Sequence, residues 1–223
     1  MTNDDDELPG SEACFAHLLV DGHVVDPQTW QDVSAFRKAE RTRLYAARQG
    51  VSPAERKANT AQVSRLLTEM LGDISQRTIA VYWPIRGEIN LRPFMIAAVA
   101  RGARICLPVV VEKRQPVEFH RWTPDCSMAR GLWDIPVPAD AEPLDPDVVI
   151  VPLLGVDEQG YRLGNGGGYY DRTLARLPGD LLRIGVGQGF ARMKTIFPMP
   201  WDIPMKRVVL SDGTVTRHGD HRS

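Results

Sequence analysis

Val148-Val149-Ile150-Val151-Pro152 leads, through Gly155-Val156-Asp157-Glu158-Gln159-Gly160, into Tyr161-Arg162-Leu163-Gly164-Asn165-Gly166-Gly167-Gly168-Tyr169-Tyr170-Asp171-Arg172. The apolar run reads as a buried strand bounded by turn residues. Four glycines in the five positions 164 to 168 would be costly in ordinary structure, because each loses extra backbone freedom on folding. A helix is predicted from about Gly168 to Leu177, stopped by Pro178-Gly179. Strand, glycine loop and helix start together suit an anion cradle, where free N–H groups and the helix dipole meet phosphate. A tight surface turn is the plainer alternative.

The same alternation extends outward from this stretch. Downstream, Arg183-Ile184-Gly185-Val186-Gly187 reads as another strand. A segment containing Trp201-Asp202-Ile203-Pro204 precedes a last strand, Arg207 to Leu210. Upstream, Thr78-Ile79-Ala80-Val81-Tyr82-Trp83 reads as the first sheet strand, broken by Pro84. A helix from Asn90 or Leu91 to Arg101 stops at Gly102, and Arg104 to Val109 forms the next strand. This βαβ unit crosses over right-handed into a parallel pair. Ligands in open α/β sheets collect at the C-terminal strand ends, which makes Glu88, in the loop Arg86-Gly87-Glu88, a candidate site residue.

Val117 to Trp122 alternates apolar and polar residues as an edge strand does. Thr123 to Asp147 carries five prolines and no period, and reads as a long ordered loop pinned to the core by Trp133.

Two helices precede the sheet. The first runs from about Asp32 to Arg48, in good helix formers. Arg37 and Arg41 share a face, with Arg48 further along it. That face reads as an exposed basic surface or, alternatively, a phosphate-holding one. The second begins at Ser52-Pro53-Ala54-Glu55, a capping box with proline at the first position, and ends at Gly72. Residues 1–31 form an N-terminal extension that opens with Asp4, Asp5, Asp6 and Glu7. Its Leu18 to Val25 reads as a small hairpin or an extended arm. Residues 32–212 make a single α/β domain, and the tail at 213–223 is polar and frayed.

Composition narrows the function classes. The 223 residues are 43% hydrophobic and 25% charged, with a formal net charge of -1, so no basic surplus recommends nucleic acid as partner. Cys14, Cys106 and Cys126 show no C-x-x-C spacing, which indicates neither a zinc site nor a disulfide framework. No apolar run reaches membrane length and no secretory leader opens the chain, so the expected setting is the cytoplasm, without a membrane partner. The glycine loop lacks the closing Lys-Ser or Lys-Thr of the Walker A pattern. It also fails the dinucleotide fingerprint at Tyr169, and neither H-E-x-x-H nor G-x-S-x-G occurs.

With these parts together, the chain from about 35 to 212 resembles the 5-formyltetrahydrofolate cyclo-ligase (methenyltetrahydrofolate synthetase) family. Arg162-Leu163-Gly164-x-Gly166-Gly167-Gly168-Tyr169-Tyr170-Asp171-Arg172 matches the family's signature loop. Pro152-x-x-Gly155-x-Asp157-x-x-Gly160 leads in as family members do. Arg37-Lys38-Ala39-Glu40-Arg41 and Ser52-Pro53-Ala54-Glu55-Arg56 resemble its basic helix and capping box, and Trp201-Asp202-Ile203-Pro204 its late aspartate motif.

The resemblance implies a mostly parallel open sheet with helices on both faces, NagB/RpiA/CoA-transferase-like, in a monomer. It implies ATP-dependent cyclisation of a reduced folate, 5-formyltetrahydrofolate, to the 5,10-methenyl form. ATP is expected on Arg37, Lys38, Arg41 and the loop Arg162, Leu163, Gly164, Asn165, Gly166, Gly167, Gly168, Tyr169 and Tyr170. Of these, Arg162, Tyr169 and Tyr170 are expected to act in catalysis. Trp83, Glu88, Asn165, Gly168 and Tyr169 are expected on the folate, and Asp171 and Asp202 on magnesium.

Alternatives are ATP chemistry on another formyl or amide substrate, and a folate- or nucleotide-binding protein without turnover. The chain also departs from the family pattern. Asn165 and Gly167 stand where some members have a basic residue, and Glu40 stands where leucine is frequent. Gln188-Gly189-Phe190-Ala191 holds expected residue types in another order.

Overall fold

The computed structural model describes residues 18–20 and 22–219; Asp4 to Glu7 and Cys14 lie outside them. The chain begins with the hairpin β1 (Leu18–Val20) and β2 (His23–Val25), followed by α1 (Pro27–Gln49) and α2 (Pro53–Leu71). Next come β3 (Thr78–Ala80), α3 (Arg92–Ala100), β4 (Arg104–Val109), β5 (Glu118–Trp122), β6 (Met128–Arg130) and β7 (Pro136–Pro138). Then β8 (Val148–Pro152), β9 (Gly155–Val156), β10 (Arg162–Leu163), α4 (Tyr169–Arg176), β11 (Leu182–Gly187), β12 (Arg207–Leu210) and β13 (Val215–Arg217) complete it.

Seven strands form one sheet in the order β13-β12-β11-β8-β3-β4-β5. The five central strands, β12 to β4, run parallel, and the two edge strands β13 and β5 run antiparallel. Val148, Val149, Ile150 and Val151 are all fully buried at its centre. A strand covered on both faces has no polar side to alternate with, which is why this run is unbroken. Ile79, Ile105, Val148 and Ile150 pack with Val63 and Leu67 of α2 and Phe94 and Met95 of α3 on one face. Ala80, Cys106, Val149 and Val151 share the other face with Leu174 of α4.

Chain order reverses between β3 and β8: from β3 it runs on to β4, and from β8 to β11 and β12 on the other side. The crevice at such a reversal, beyond the carboxyl ends of the strands, is where this architecture binds ligands. The loop after β3 carries Glu88, and the chain after β8 carries the glycine loop, so the topology places both at that crevice.

Four local expectations are corrected. Helix α1 starts at Pro27, not Asp32, because Asp26 caps it, its carboxylate accepting from Thr29 N at 2.7 Å. The stretch 123–147 is not one long loop, since it holds the hairpin β6–β7, with Met128 opposite Pro138. Trp133, at its turn, is not a core anchor: it is 61% exposed, at φ 58°. The tail is not frayed throughout, because β13 pairs with β12. Among the described residues, no helix is long and apolar enough to cross a membrane.

Candidate active site

The inner face of α1 carries Val33, Arg37, Leu44 and Arg48, all buried. Guanidinium groups inside a protein need acceptors, and here they find them on segments far along the chain. Arg37 donates from Nε to the Ile196 carbonyl (2.9 Å) and from Nη2 to the Phe197 carbonyl (2.8 Å), and it forms a buried ion pair with Asp202. Arg41, half-buried, donates from Nε to the Gly164 carbonyl at 2.8 Å. Arg48 donates from Nη2 to the Leu153 carbonyl at 2.9 Å. The basic face of this helix is therefore an internal one; Lys38 alone of the expected cations on it is exposed.

The glycine loop emerges from the two-stranded ladder β9–β10, where Arg162 lies opposite Val156 and Leu163 opposite Gly155. Asp157 closes that turn, accepting from Gln159 N and Tyr161 N, and ties it to Ile196 N. The Leu163 side chain packs with Leu44, Leu154 and Ile196, leaving only its backbone to a ligand. Gly166 and Gly168 adopt φ 95° and 66°, the left-handed region that a Cβ resists. Gly168 is also the residue from which α4 starts.

Around the loop, aromatic and charged side chains interlock. Arg162 pairs with Asp171 at 2.9 Å and lies over the Tyr170 ring at 5.3 Å. Tyr169 accepts at its hydroxyl from Arg114 N, meets Trp133 edge-on at 5.4 Å and lies beneath Arg172. Burial raises the Asp171 carboxyl above its ordinary value; Arg162 opposes this and the nearby Asp202 charge adds to it. The Tyr170 hydroxyl is also pushed up by burial, then by Glu88, and stays protonated at neutral pH.

Glu88 sits across the crevice with its side chain 5% exposed. It accepts from Ile85 N at 3.0 Å and lies beside the Asn165 side chain, whose oxygen takes the Tyr45 hydroxyl at 2.6 Å. Asn165 thus spans the basic helix and Glu88. Burial raises the Glu88 carboxyl, with Ile85 N and Arg48 working the other way. Trp83 packs against the core beside this loop and under the Arg92 guanidinium at 5.4 Å. Two clefts flank Gly87: one of about 570 Å³ lined by Tyr45, Gln49, Arg56 and Arg86, the other of about 440 Å³ lined by Lys57, Glu88, Ile89 and Gln188 among others.

These contacts join Arg37 with Asp202, Arg162 with Asp171, Arg41 with Gly164, and Asn165 with Tyr45. Residues 33–211 match the model of the 5-formyltetrahydrofolate cyclo-ligase family. The chain belongs to that family. The 5-formyltetrahydrofolate cyclo-ligase of Mycolicibacterium smegmatis is 31% identical over 177 residues, covering 76% of this chain and 90% of the relative. That of Escherichia coli K12 is 28% identical, covering 73% and 93%. The solved 5,10-methenyltetrahydrofolate synthetase of Aquifex aeolicus superposes with a TM-score of 0.71 at 30% identity, over 84% of this chain and 95% of that one.

The sequence alone assigns no site role to Tyr45 or Trp133, and it marks Arg48 and Arg172 only as cations that could face phosphate. Arg48 had a signal, the helical spacing shared with Arg37 and Arg41, and Tyr45 follows Arg41 by four. Trp133 and Arg172 reach Tyr169 only through the folded hairpin and loop.

Proposed function

We propose that the protein closes 5-formyltetrahydrofolate to 5,10-methenyltetrahydrofolate with consumption of ATP, in the domain at 32–212 on a NagB/RpiA/CoA-transferase-like scaffold. The observation that carries this reading is Asn165, which ties the glycine loop to Tyr45 of the basic helix by a hydrogen bond and lies beside Glu88. A nucleotide held by loop and helix would thereby abut a substrate held by Glu88.

The chemistry explains the residue types. A formyl group on a ring nitrogen is an amide whose oxygen leaves poorly. Transfer of the γ-phosphoryl group to that oxygen makes it a phosphate ester. The anilino nitrogen then attacks the formyl carbon; the new C–N bond forms as the C–O bond breaks, phosphate departs and the nitrogen loses its proton. Phosphoryl transfer asks the protein chiefly for positioning and charge stabilisation.

Lys38, Arg41 and Arg162 supply cations for the phosphates, Arg37 being turned inward onto Ile196, Phe197 and Asp202, and the backbone from Leu163 to Gly168 supplies N–H groups at the start of α4. Tyr170, protonated by its environment, acts as a hydrogen-bond donor to developing charge and not as a base. Tyr169 and Arg162 border the same loop. Glu88 accepts the N–H groups of the pterin edge, beside Trp83, Asn165 and Gly168.

Asp171 and Asp202 fit magnesium in donor type, as hard carboxylate oxygens close enough for one charge to raise the other's proton affinity. Among the described residues no group of three or more acidic or imidazole ligands exists, so water and phosphate oxygens would complete the shell. Bound there, the ion would neutralise charge on the transferring phosphoryl group. Until then Arg37 and Arg162 balance the two carboxylates.

The test is direct. Purified protein with MgATP and 5-formyltetrahydrofolate should generate the absorbing methenyl product and ADP in equal amounts. ADP without the methenyl product, or neither, would remove this reading.

A further inference from the structure

Arg48 is 2% exposed and belongs to no part of the reaction above. One of its nitrogens, Nη2, serves the Leu153 carbonyl; Nε and Nη1 are buried without a hydrogen-bond partner. Nη1 lies 3.9 Å from Glu88 Oε1, beyond hydrogen-bond length and within ion-pair distance. Both side chains are buried, at 3% and 5% exposure, so little water screens the pair. A buried guanidinium with two unused donors is costly unless a charge opposes it. A Cβ added at Gly87 would meet the Arg48 Cγ at 3.3 Å, so the Arg48 stem lies close beside the loop that carries Glu88.

The surroundings of Glu88 contain few other charges. Arg86 of its own loop is exposed, as is Lys57 of α2, which lines the same cleft as Glu88. From the neighbouring segment comes Tyr82, whose hydroxyl donates to the Ile89 carbonyl, and from α4 comes Tyr170; both phenols are neutral and held so by burial. From the glycine loop comes the neutral Asn165, and from α2 Arg56, which faces Arg48 and is spent on the Arg48, Val51 and Gly87 carbonyls. The fixed buried cation facing Glu88 is therefore Arg48.

We propose that Arg48 is a positioning residue for substrate recognition, the counter-charge that holds Glu88 as a carboxylate able to accept the N–H donors of the folate ring. The inference rests on the folate reading of the same crevice. Glu88 meets the ring; Arg48 acts through it. A carboxylate accepts at both oxygens, whereas a carboxylic acid turns one of them into a donor facing a donor. Burial already raises the Glu88 carboxyl, so loss of the cation moves its titration further up, toward working pH.

The test is the pH profile of the folate KM in wild type, Arg48→Met, Arg48→Lys, Glu88→Gln and the double variant. Arg48→Met keeps the stem and removes the charge. Its KM should rise above wild type increasingly as pH falls from 8.5 to 6.5, by at most about tenfold for each unit that the carboxyl moves up, and should approach wild type at the alkaline end. Arg48→Lys should restore most of the loss. In Glu88→Gln, which has no carboxylate to hold, adding Arg48→Met should change KM less than twofold, as expected when the two act as one unit.

An Arg48→Met defect that is the same at every pH, or that is undiminished in the Glu88→Gln background, overturns the proposal and leaves Arg48 as packing. A ¹³C titration of labelled carboxyls, with Glu88 assigned by its absence from Glu88→Gln, reads the coupling without folate. An unshifted Glu88 signal in Arg48→Met refutes the inference even if folate turnover is normal. A shifted signal in a protein that never turns over folate refutes the substrate instead.

Discussion

Arg41 is the sharpest place to test whether the glycine loop is held in position by the helix beneath it. Its Nε donates to the Gly164 carbonyl at 2.8 Å, and its guanidinium lies close under Gly166. Arg41→Met preserves the aliphatic stem and deletes one charge-assisted hydrogen bond. Bonds of that class contribute about 1.5–3 kcal/mol. Since 1.4 kcal/mol is tenfold, kcat/KM for ATP should fall roughly 10- to 150-fold if the whole bond serves the nucleotide-binding conformation. The group is half-buried on a helix tethered by Arg37 and Arg48 as well, so the melting temperature should drop by only a few degrees. The assay is the initial rate of methenyl formation against ATP at saturating folate, alongside thermal unfolding. Arg41→Lys should recover charge without the planar donor and sit between the two. A kcat/KM for ATP within twofold of wild type would refute the reasoning. So would a loss confined to the folate KM.

Other predictions are independent of that bond. Asp157→Asn should lower stability by about 1–3 kcal/mol, because an amide can keep the bonds from Gln159 N and Tyr161 N but turns an N–H toward Ile196 N; chemical denaturation reads the difference. Gly168→Ala should lose stability by about 1–2 kcal/mol from the left-handed backbone alone, and its Cβ would also meet Arg172 Nη1 at 2.6 Å, so ATP-dependent turnover should fall with it. Cys106, whose thiol is pushed to about 12 by burial, should resist alkylation at pH 8 in the native protein while the half-buried Cys126 reacts; mass spectrometry of native digests distinguishes them.

The sheet was legible because its strands are short apolar runs with glycine and proline at their ends, and Val148 to Val151 has no polar face to confuse the period. The glycine loop was legible from composition: few arrangements other than a tight backbone approach use four glycines in five residues. The inner placement of Arg37 and Arg48 was not. Arginine on a helix is ordinarily solvated, and the acceptors that permit burial here sit at Asp202, Ile196 and Leu153, more than 100 residues away in sequence. Nothing local could reveal them. The start of α1 was readable and missed, since Asp26-Pro27 is a cap followed by proline at the first turn. The β6–β7 hairpin was obscured by its prolines, which stand on a two-stranded ribbon outside the main sheet, where missing N–H donors are tolerated.

The arginines on the inner stripe of α1 bear on how the chain is made. Helix α1 is complete at residue 49, yet the groups that cover its inner face arrive with residues 153, 164, 196 and 202. At a synthesis rate of about 5–20 residues per second, that face waits on the order of ten seconds or longer for its cover. A stripe of leucines would spend the interval as an adhesive surface. A stripe in which Arg37, Arg41 and Arg48 alternate with Val33 and Leu44 spends it hydrated, and becomes buried only when the late acceptors are present to receive it. The nascent helix therefore guards itself against premature association with the same cations that the finished protein turns inward.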